Sequence, residues 1–164
     1  MEASITLKKV GKLIGDKTIL AGLSFGIERG SLVAIVGLND SGKSILLKLL
    51  SGYENPNYGQ VFVQGLDMEK RRSETRKLIG YVSYENDLDP WLTIKQNIRF
   101  NANLYSVNNI LFKERLKKYS SALDLEPYLN EYAFRASGGI QKKAMLLRGL
   151  IHDPDILVID EPTG

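Results

Sequence analysis

A glycine-rich octapeptide in the first third of the chain constrains the fold more than any other feature. It reads Gly-Leu-Asn-Asp-Ser-Gly-Lys-Ser over residues 37–44. The continuous apolar run Leu32–Val36 precedes it and favours a strand buried on both faces. Ser44–Leu50 follows with helical spacing of its apolar residues, and Gly52 marks its end. Strand, glycine-rich turn and helix in this order predict a phosphate-binding loop in an α/β fold, rather than an ordinary glycine turn.

The residue types of this loop suit a polyphosphate. Gly37 and Gly42 allow backbone N–H groups to curl around the anion, and the helix start adds its positive end. We expect Lys43 to contact the β- and γ-phosphates and Ser44 to offer its hydroxyl to Mg²⁺. Asp40 must point outward or occupy a left-handed turn position. The predicted nucleotide-contacting residues are Gly37, Leu38, Asn39, Asp40, Ser41, Gly42, Lys43 and Ser44.

Two acids end the last apolar segment. Ile156–Ile159 predicts a strand, and Asp160 and Glu161 follow it directly. In an α/β sheet the carboxyl ends of strands bind ligands, so we expect these acids to converge on the phosphates beside Lys43. Asp160 is the predicted second Mg²⁺ ligand, and Glu161 is predicted to polarise the attacking water. The alternative is a pair of exposed acids at a strand end. Lys43 and Glu161 are the predicted catalytic residues.

The rest of the pattern alternates strands with helices. The segment 87–135 reads as an all-helical insert within a single domain, 1–164. Ser137 is expected to cap a helix that runs to about His152, before Asp153 and Pro154 end it. The remaining predicted strands are Ser4–Val10, Ile19–Ile27, Val61–Val63 and Ile79–Val82, and the remaining predicted helices are Glu69–Lys77, Thr93–Tyr105, Asn109–Leu123 and a short piece at Pro127.

Composition narrows the class of protein. The chain has 164 residues and no cysteine, which excludes disulfides and thiolate metal sites. Its net charge of +3 and the lack of a basic stripe with aromatics argue against nucleic-acid binding. No apolar run reaches the ~18 residues of a membrane span, so we expect membrane association only through a partner.

A second helix start that is suited to binding an anion lies late in the chain. Ser137 is a capping residue, and Gly138 and Gly139 expose backbone N–H groups. One chain would hardly use two such sites on one terminal phosphate, whereas two chains arranged head to tail could use both. Ser137, Gly138 and Gly139 are therefore candidates for a second phosphate site.

This segment, Arg135–Lys143, resembles the signature motif of ATP-binding-cassette (ABC) ATPases. Asp160–Gly164 is similar to the family's DEPT segment, and Ile79–Val82 followed by Leu92–Ile94 resembles the stretch around its Q-loop. The resemblance implies an α/β P-loop core with a mostly parallel sheet, an N-terminal antiparallel β subdomain and a helical insert carrying the signature.

The resemblance also implies a mechanism. Mg·ATP would lie between the P-loop of one cassette and Ser137–Gly139 of a second, head to tail, and hydrolysis would drive an integral membrane permease. The cassette would then be cytoplasmic, at the inner face of the membrane. The region of Leu92–Thr93 and Phe100–Tyr105 is most similar to cassettes that serve exporters of drugs, antibiotics or polysaccharides.

Three departures from the family pattern favour an alternative, a degenerate or truncated cassette that binds ATP and regulates or dimerises without efficient hydrolysis. Ile14 stands where the family usually stacks an aromatic on adenine, and Tyr84 holds the Q-loop glutamine position. The sequence stops at Gly164, before the family's D-loop aspartate and switch histidine, so we expect a truncated chain or a fragment. His152 is expected at the surface of a helix end, without a catalytic role.

Overall fold

The computed structural model describes residues 3–161, which fall into two compact units divided between residues 79 and 80. Two 3₁₀ turns lie at Glu126–Tyr128 and Ala133–Arg135. The strands are β1 (Ala3–Ile14), β2 (Lys17–Glu28), β3 (Tyr58–Val63), β4 (Leu66–Asp67), β5 (Ile79–Val82) and β6 (Ile156–Ile159), and the helices are α1 (Lys43–Leu50), α2 (Arg72–Lys77), α3 (Ile94–Leu104), α4 (Asn109–Ala122) and α5 (Gly138–Leu150).

The first unit is built on an antiparallel sheet of order β2-β1-β3-β4. β1 and β2 form a hairpin in which Ile14 pairs with Lys17 across a two-residue turn, and Gly15 supplies its positive φ of 57°. The strand predicted at Ser4–Val10 is confirmed, and Ile5 and Leu7 are buried on one face as expected. The alternation breaks at Lys9, which has a φ of 50° and lies at a shift in register between Leu7 and Val10.

The apolar run Leu32–Val36 is not a strand, so that prediction is wrong. The segment has no regular structure, and within residues 3–161 no strand pairs with it. Leu32 is 100% exposed and Val36 is 88% exposed. A run of apolar residues favours a strand only when a neighbouring backbone completes its hydrogen bonds, and the run itself does not specify that neighbour.

Helix α1 follows its prediction closely. Its buried residues Leu46, Leu49 and Leu50 share one face, and Gly52 follows with a positive φ of 72°. Helix α2 starts later than the predicted Glu69. The Asp67 carboxylate accepts the backbone N–H groups of Glu69 and Lys70 at 3.0 and 3.2 Å, and this side-chain turn delays the helix.

The second unit contains three capped helices and the strands β5 and β6, which pair with each other. Thr93 begins α3 with a reciprocal capping box to Gln96, and the Asn108 side chain caps α4. Both strands have the predicted bounds. The core of this unit is apolar and includes Ile94, Ile98, Phe112, Met145 and Leu147.

Over the part of the chain that the structure describes, no helix combines the length and hydropathy needed to span a bilayer.

Candidate functional site

The loop before α1 surrounds the ammonium group of Lys43. The Lys43 Nζ donates hydrogen bonds to the carbonyl oxygens of Gly37 at 3.0 Å and Leu38 at 2.7 Å. The Ser41 N–H donates to the same Leu38 oxygen at 3.3 Å, closing a turn over Asn39 and Asp40. The segment thus wraps a single positive charge at the start of a helix, an arrangement suited to binding a polyphosphate.

Two residues of the loop hold left-handed backbone conformations. Asp40 has a φ of 60°, which confirms one of the two placements expected for this acid. Gly42, the N-cap of α1, has a φ of 88°, and a Cβ there would lie 2.9 Å from Ile19 Cγ2. Gly42 is therefore required both by the backbone and by the close approach to β2.

The remaining loop side chains lie at the surface. Leu38, Asn39, Ser41 and Ser44 are exposed, so the Ser44 hydroxyl is open to a metal or to solvent. A Cβ on Gly37 would lie 3.0 Å from Ser41 Oγ, so Gly37 permits this tight curl. All eight predicted loop residues belong to the first unit.

The start of α5 confirms the predicted cap. The Ser137 hydroxyl accepts the backbone N–H of Ile140 at 3.4 Å. Gly138 and Gly139 are exposed, and a Cβ on either would meet nothing within 4 Å. Helical glycines are unfavourable by about 0.5–1 kcal/mol each relative to alanine, so the chain's own packing does not explain them.

The two acids after β6 have different surroundings. Asp160 is only 4% exposed, and its N–H donates to the Val82 carbonyl oxygen at 2.9 Å, continuing the pairing with β5. Glu161 is exposed with a φ of 50°, a strained conformation for a non-glycine residue. Both lie in the second unit, and their approach to Lys43 stays a prediction. Pro162–Gly164, the rest of the DEPT-like segment, lie outside the described residues.

Lys142 makes contacts that the sequence pattern did not predict. Its Nζ donates to the carbonyl oxygens of Ser83 at 3.3 Å and Asp160 at 3.4 Å. One ammonium group therefore joins α5 to the segments that follow β5 and β6. The position of Lys142 in the signature-like segment was the one sequence signal for such a role. The spacing of residues along the chain does not predict which atoms a flexible lysine side chain contacts.

The segment after β5 is tied to α5 at two further points. The Asn86 amide donates to Gln141 Oε1 at 3.0 Å, and the Arg148 guanidinium donates to the Asp87 carbonyl oxygen at 3.0 Å. Arg148 also forms an ion pair with the Asp87 carboxylate. The stretch that resembles the Q-loop is thus held against the signature-like helix by side chains.

The positions that depart from the family pattern are accessible. Ile14 is 54% exposed and Tyr84 is 59% exposed. His152 is half-buried, and its ring stacks on Tyr105 with centroids 3.8 Å apart. Between residues 3 and 161, no three His, Cys, Asp or Glu side chains cluster as a metal site.

Sequence comparison places these features in one family. The model of the family described as "ABC transporter" matches residues 20–164. The chain is 32% identical to a probable sulfate/thiosulfate import ATP-binding protein, CysA, of Chlorella vulgaris, over 97% of this chain and 67% of that protein. It is 30% identical to a probable multidrug ABC transporter ATP-binding protein, YbhF, of Escherichia coli, over 99% of this chain but only 28% of that protein.

A solved structure agrees. The dimeric post-hydrolysis state of the ATP-binding cassette MJ0796, bound to ADP and Pi, superposes with a TM-score of 0.85 at 25% identity, over 97% of this chain and 74% of that chain. The α/β class expected from the sequence, with an antiparallel N-terminal sheet and a parallel sheet, is confirmed. The chain belongs to the ABC transporter family, and its fold is that of the family's ATP-binding cassette ATPases.

Proposed function

We propose that this chain is the ATP-binding part of an ABC transporter and that it binds and hydrolyses Mg·ATP. The observation that carries the proposal is the enclosure of Lys43. Its ammonium is held at 2.7 and 3.0 Å by two carbonyl oxygens of its own loop, at the N-terminus of α1. Phosphate oxygens are stronger partners for an ammonium than neutral carbonyls, so a bound polyphosphate replaces these contacts.

The residues present fit Mg²⁺. Mg²⁺ prefers hard oxygen ligands and usually takes only one or two from the protein, with phosphates and water completing the shell. The exposed hydroxyl of Ser44 and the carboxylate of Asp160 supply such oxygens. The bound ion would neutralise charge on the terminal phosphates.

In the proposed hydrolysis the chain's own residues position groups and move one proton. The loop Gly37–Ser44 and Lys43 hold the phosphates, while the Glu161 carboxylate orients a water and accepts its proton. Glu161 suits this role because its side chain is exposed at the strand end, whereas the neighbouring Asp160 is buried and suited to a fixed ligand position.

The decisive measurement is phosphate release by the wild type and by Glu161→Gln. We expect the variant to lose at least about hundredfold in rate, near the lower range for a proton-accepting group, with ATP affinity unchanged. Glu69→Gln, an exposed acid outside the site, is the control and should retain the wild-type rate. Equal rates for the wild type and Glu161→Gln would contradict hydrolysis through Glu161.

A second function, an ATP-binding module with little turnover, is favoured by Ile14 and Tyr84. Ile14 offers no ring to stack on adenine, and Tyr84 offers no amide oxygen to Mg²⁺. Tight ATP binding together with phosphate release as slow as that of Glu161→Gln would establish this alternative.

We propose further that two cassettes associate head to tail around ATP. Gly138 and Gly139 leave open space at an exposed helix start, which an ATP phosphate bound to the second cassette would need in order to approach. Sedimentation of Glu161→Gln with ATP should show a dimer that is lost without nucleotide. The same protein with Gly138→Glu, which places a bulky anion at this helix start, should stay monomeric.

The proposed membrane partner is a permease, with the cassette at the cytoplasmic face and residues 87–135 as its helical subdomain. We favour export, on the similarity of the region of Leu92–Thr93 and Phe100–Tyr105 to exporter cassettes, although the named relatives include an import protein. Deleting the gene should raise cellular accumulation of a fluorescent drug-like dye. Unchanged dye levels combined with loss of a nutrient's uptake would reverse the proposed direction.

A further inference from the structure

An open cavity of about 380 Å³ lies in the second unit, and none of its lining residues belongs to the proposed nucleotide site. Residues of α3, of α4 and around the 3₁₀ turn Glu126–Tyr128 line it. Volumes of ~300–1,000 Å³ are usual for small-molecule sites. We call it the α3–α4 cavity.

The lining of the α3–α4 cavity is strongly cationic. Lys95 and Arg99 lie one turn apart on α3, and Lys113 and Lys117 lie one turn apart on α4. Glu126 is the single acid among the lining residues. The lining therefore carries a net +3, as large as the net charge of the whole chain.

These charges are not neutralised within the described chain. Across residues 3–161, neither the four cations nor Glu126 take part in an ion pair. Like charges four residues apart destabilise a helix by about 0.2–0.5 kcal/mol, so the Lys113 and Lys117 pair does not serve the stability of α4. Cations from two helices therefore converge on one cavity.

The floor of the cavity is apolar and its arginine is held in place. Phe112 and Leu116, both buried, contribute to the lining. The Arg99 guanidinium lies 3.4 Å from the centre of the Phe112 ring, and its Nη1 donates to Asn109 Oδ1 at 2.8 Å. A guanidinium fixed on an aromatic face keeps further N–H donors for a carboxylate or phosphate.

We propose that the α3–α4 cavity binds an amphiphilic anion. Its phosphate or carboxylate contacts Arg99 and the surrounding lysines, and its apolar body packs on Leu116, Leu129 and the aliphatic stems of the lysines. A purely polar anion makes no contact with the apolar part of the lining, and a neutral apolar ligand leaves the cations unpaired. The ligand therefore combines a negative head group with an apolar body.

The first test compares octyl phosphate with its two halves, 1-octanol and inorganic phosphate, by isothermal titration calorimetry below the micelle concentration. We expect octyl phosphate to bind at least about tenfold tighter than either half. Equal affinity for 1-octanol would overturn the charge requirement, and equal affinity for inorganic phosphate would overturn the apolar one. Saturating Mg·ATP should leave the affinity for octyl phosphate unchanged, since competition would assign octyl phosphate to the nucleotide site.

The second test locates the site with charge-matched double variants. Lys113→Glu with Lys117→Glu should weaken octyl phosphate binding at least about tenfold. Lys77→Glu with Lys118→Glu makes the same change in net charge at exposed positions outside the lining and should alter affinity less than about twofold. Equal losses in both would reduce the effect to overall charge and overturn the proposal. Lys113→Gln with Lys117→Gln, a milder change whose folding is checked by circular dichroism, should also lose affinity.

Two sources can supply such an anion, a membrane lipid or a free amphiphilic acid. Vesicles of phosphatidylcholine with and without phosphatidylglycerol distinguish them. Co-sedimentation that needs phosphatidylglycerol and is lost in Lys113→Glu with Lys117→Glu supports the site and assigns it to lipid. Octyl phosphate binding without co-sedimentation supports the site and assigns it to a free acid.

Discussion

Glycines lie at the starts of both α1 and α5, but the space around them differs. Gly42 adopts a φ of 88°, and a Cβ added there would lie only 2.9 Å from Ile19 Cγ2, so the fold itself needs glycine at this position. Gly138 and Gly139 have open space instead. Glycine at α1 is therefore explained by the packing of this chain, whereas the packing of this chain does not explain the glycines at α5.

The caps differ in the same way. Gly42 caps α1 without a side-chain hydrogen bond, so the first N–H groups of α1 are left for an anion. Ser137 caps α5 through its hydroxyl and satisfies the N–H of Ile140. The start of α1 is therefore the stronger candidate for the main phosphate contact, and α5 for a complementary one.

The largest expected effect tests the α1 side of this comparison. Lys43→Ala should weaken binding of a fluorescent ATP analogue at least about hundredfold, because the charge enclosed by the loop is removed. Lys48→Ala, in the last turn of the same helix, is the matched control. Retained affinity in Lys43→Ala would show that this loop is not the nucleotide site.

Gly42→Ala should have the next largest effect, on folding. Alanine is strained at this positive φ, and its Cβ would lie too close to Ile19. We therefore expect the free energy of unfolding to fall by about 1–3 kcal/mol. Urea denaturation of Gly42→Ala and of Gly139→Ala gives the comparison directly. Equal stability of the two variants would remove the distinction between the helix starts.

Ser137→Ala should lower the free energy of unfolding by about 1 kcal/mol, because the Ile140 N–H loses its side-chain acceptor. Ser137→Asn keeps a capping oxygen and should retain most of the stability. If the urea midpoint of Ser137→Ala equals that of the wild type, the hydroxyl contact contributes nothing measurable to α5.

The smallest expected change is a gain. Gly138→Ala should raise the free energy of unfolding by up to about 1 kcal/mol, since alanine is the better helix former and its Cβ meets open space. The same variant should reduce ATP-dependent dimerisation in sedimentation, because its methyl group lies where a phosphate approaches. A variant that is less stable, or that dimerises like the wild type, would contradict the functional explanation of this glycine.

Local signals in the sequence predicted most of the elements that flank the site. The bounds of β5 and β6 are as expected, and the cap at Ser137 is confirmed, because each depends on a few neighbouring residues. Helix α5 ends at Leu150 rather than near His152, with the Asp153 N–H bonded to the Leu150 carbonyl oxygen.

Features that depend on residues far away in the sequence were not predicted. Leu32–Val36 has the composition of a buried strand, yet pairing is decided by a backbone far along the chain. The two-residue strand β4 is too short to carry a periodic signal. Lys142 reaches Asp160, 18 positions away, through a flexible side chain whose direction no spacing rule specifies.

That lysine has a mechanical consequence. Because one ammonium group bonds to the backbone beyond both β5 and β6, a rotation of α5 must either carry those two chain segments along or break the bonds. A movement of α5 is thus passed directly to the backbone of Asp160, the predicted Mg²⁺ ligand, through the side chain of Lys142. Replacing Lys142 by methionine, which has similar length but no donors, removes both of these bonds, while the contacts of Gln141 and Arg148 with the segment after β5 remain.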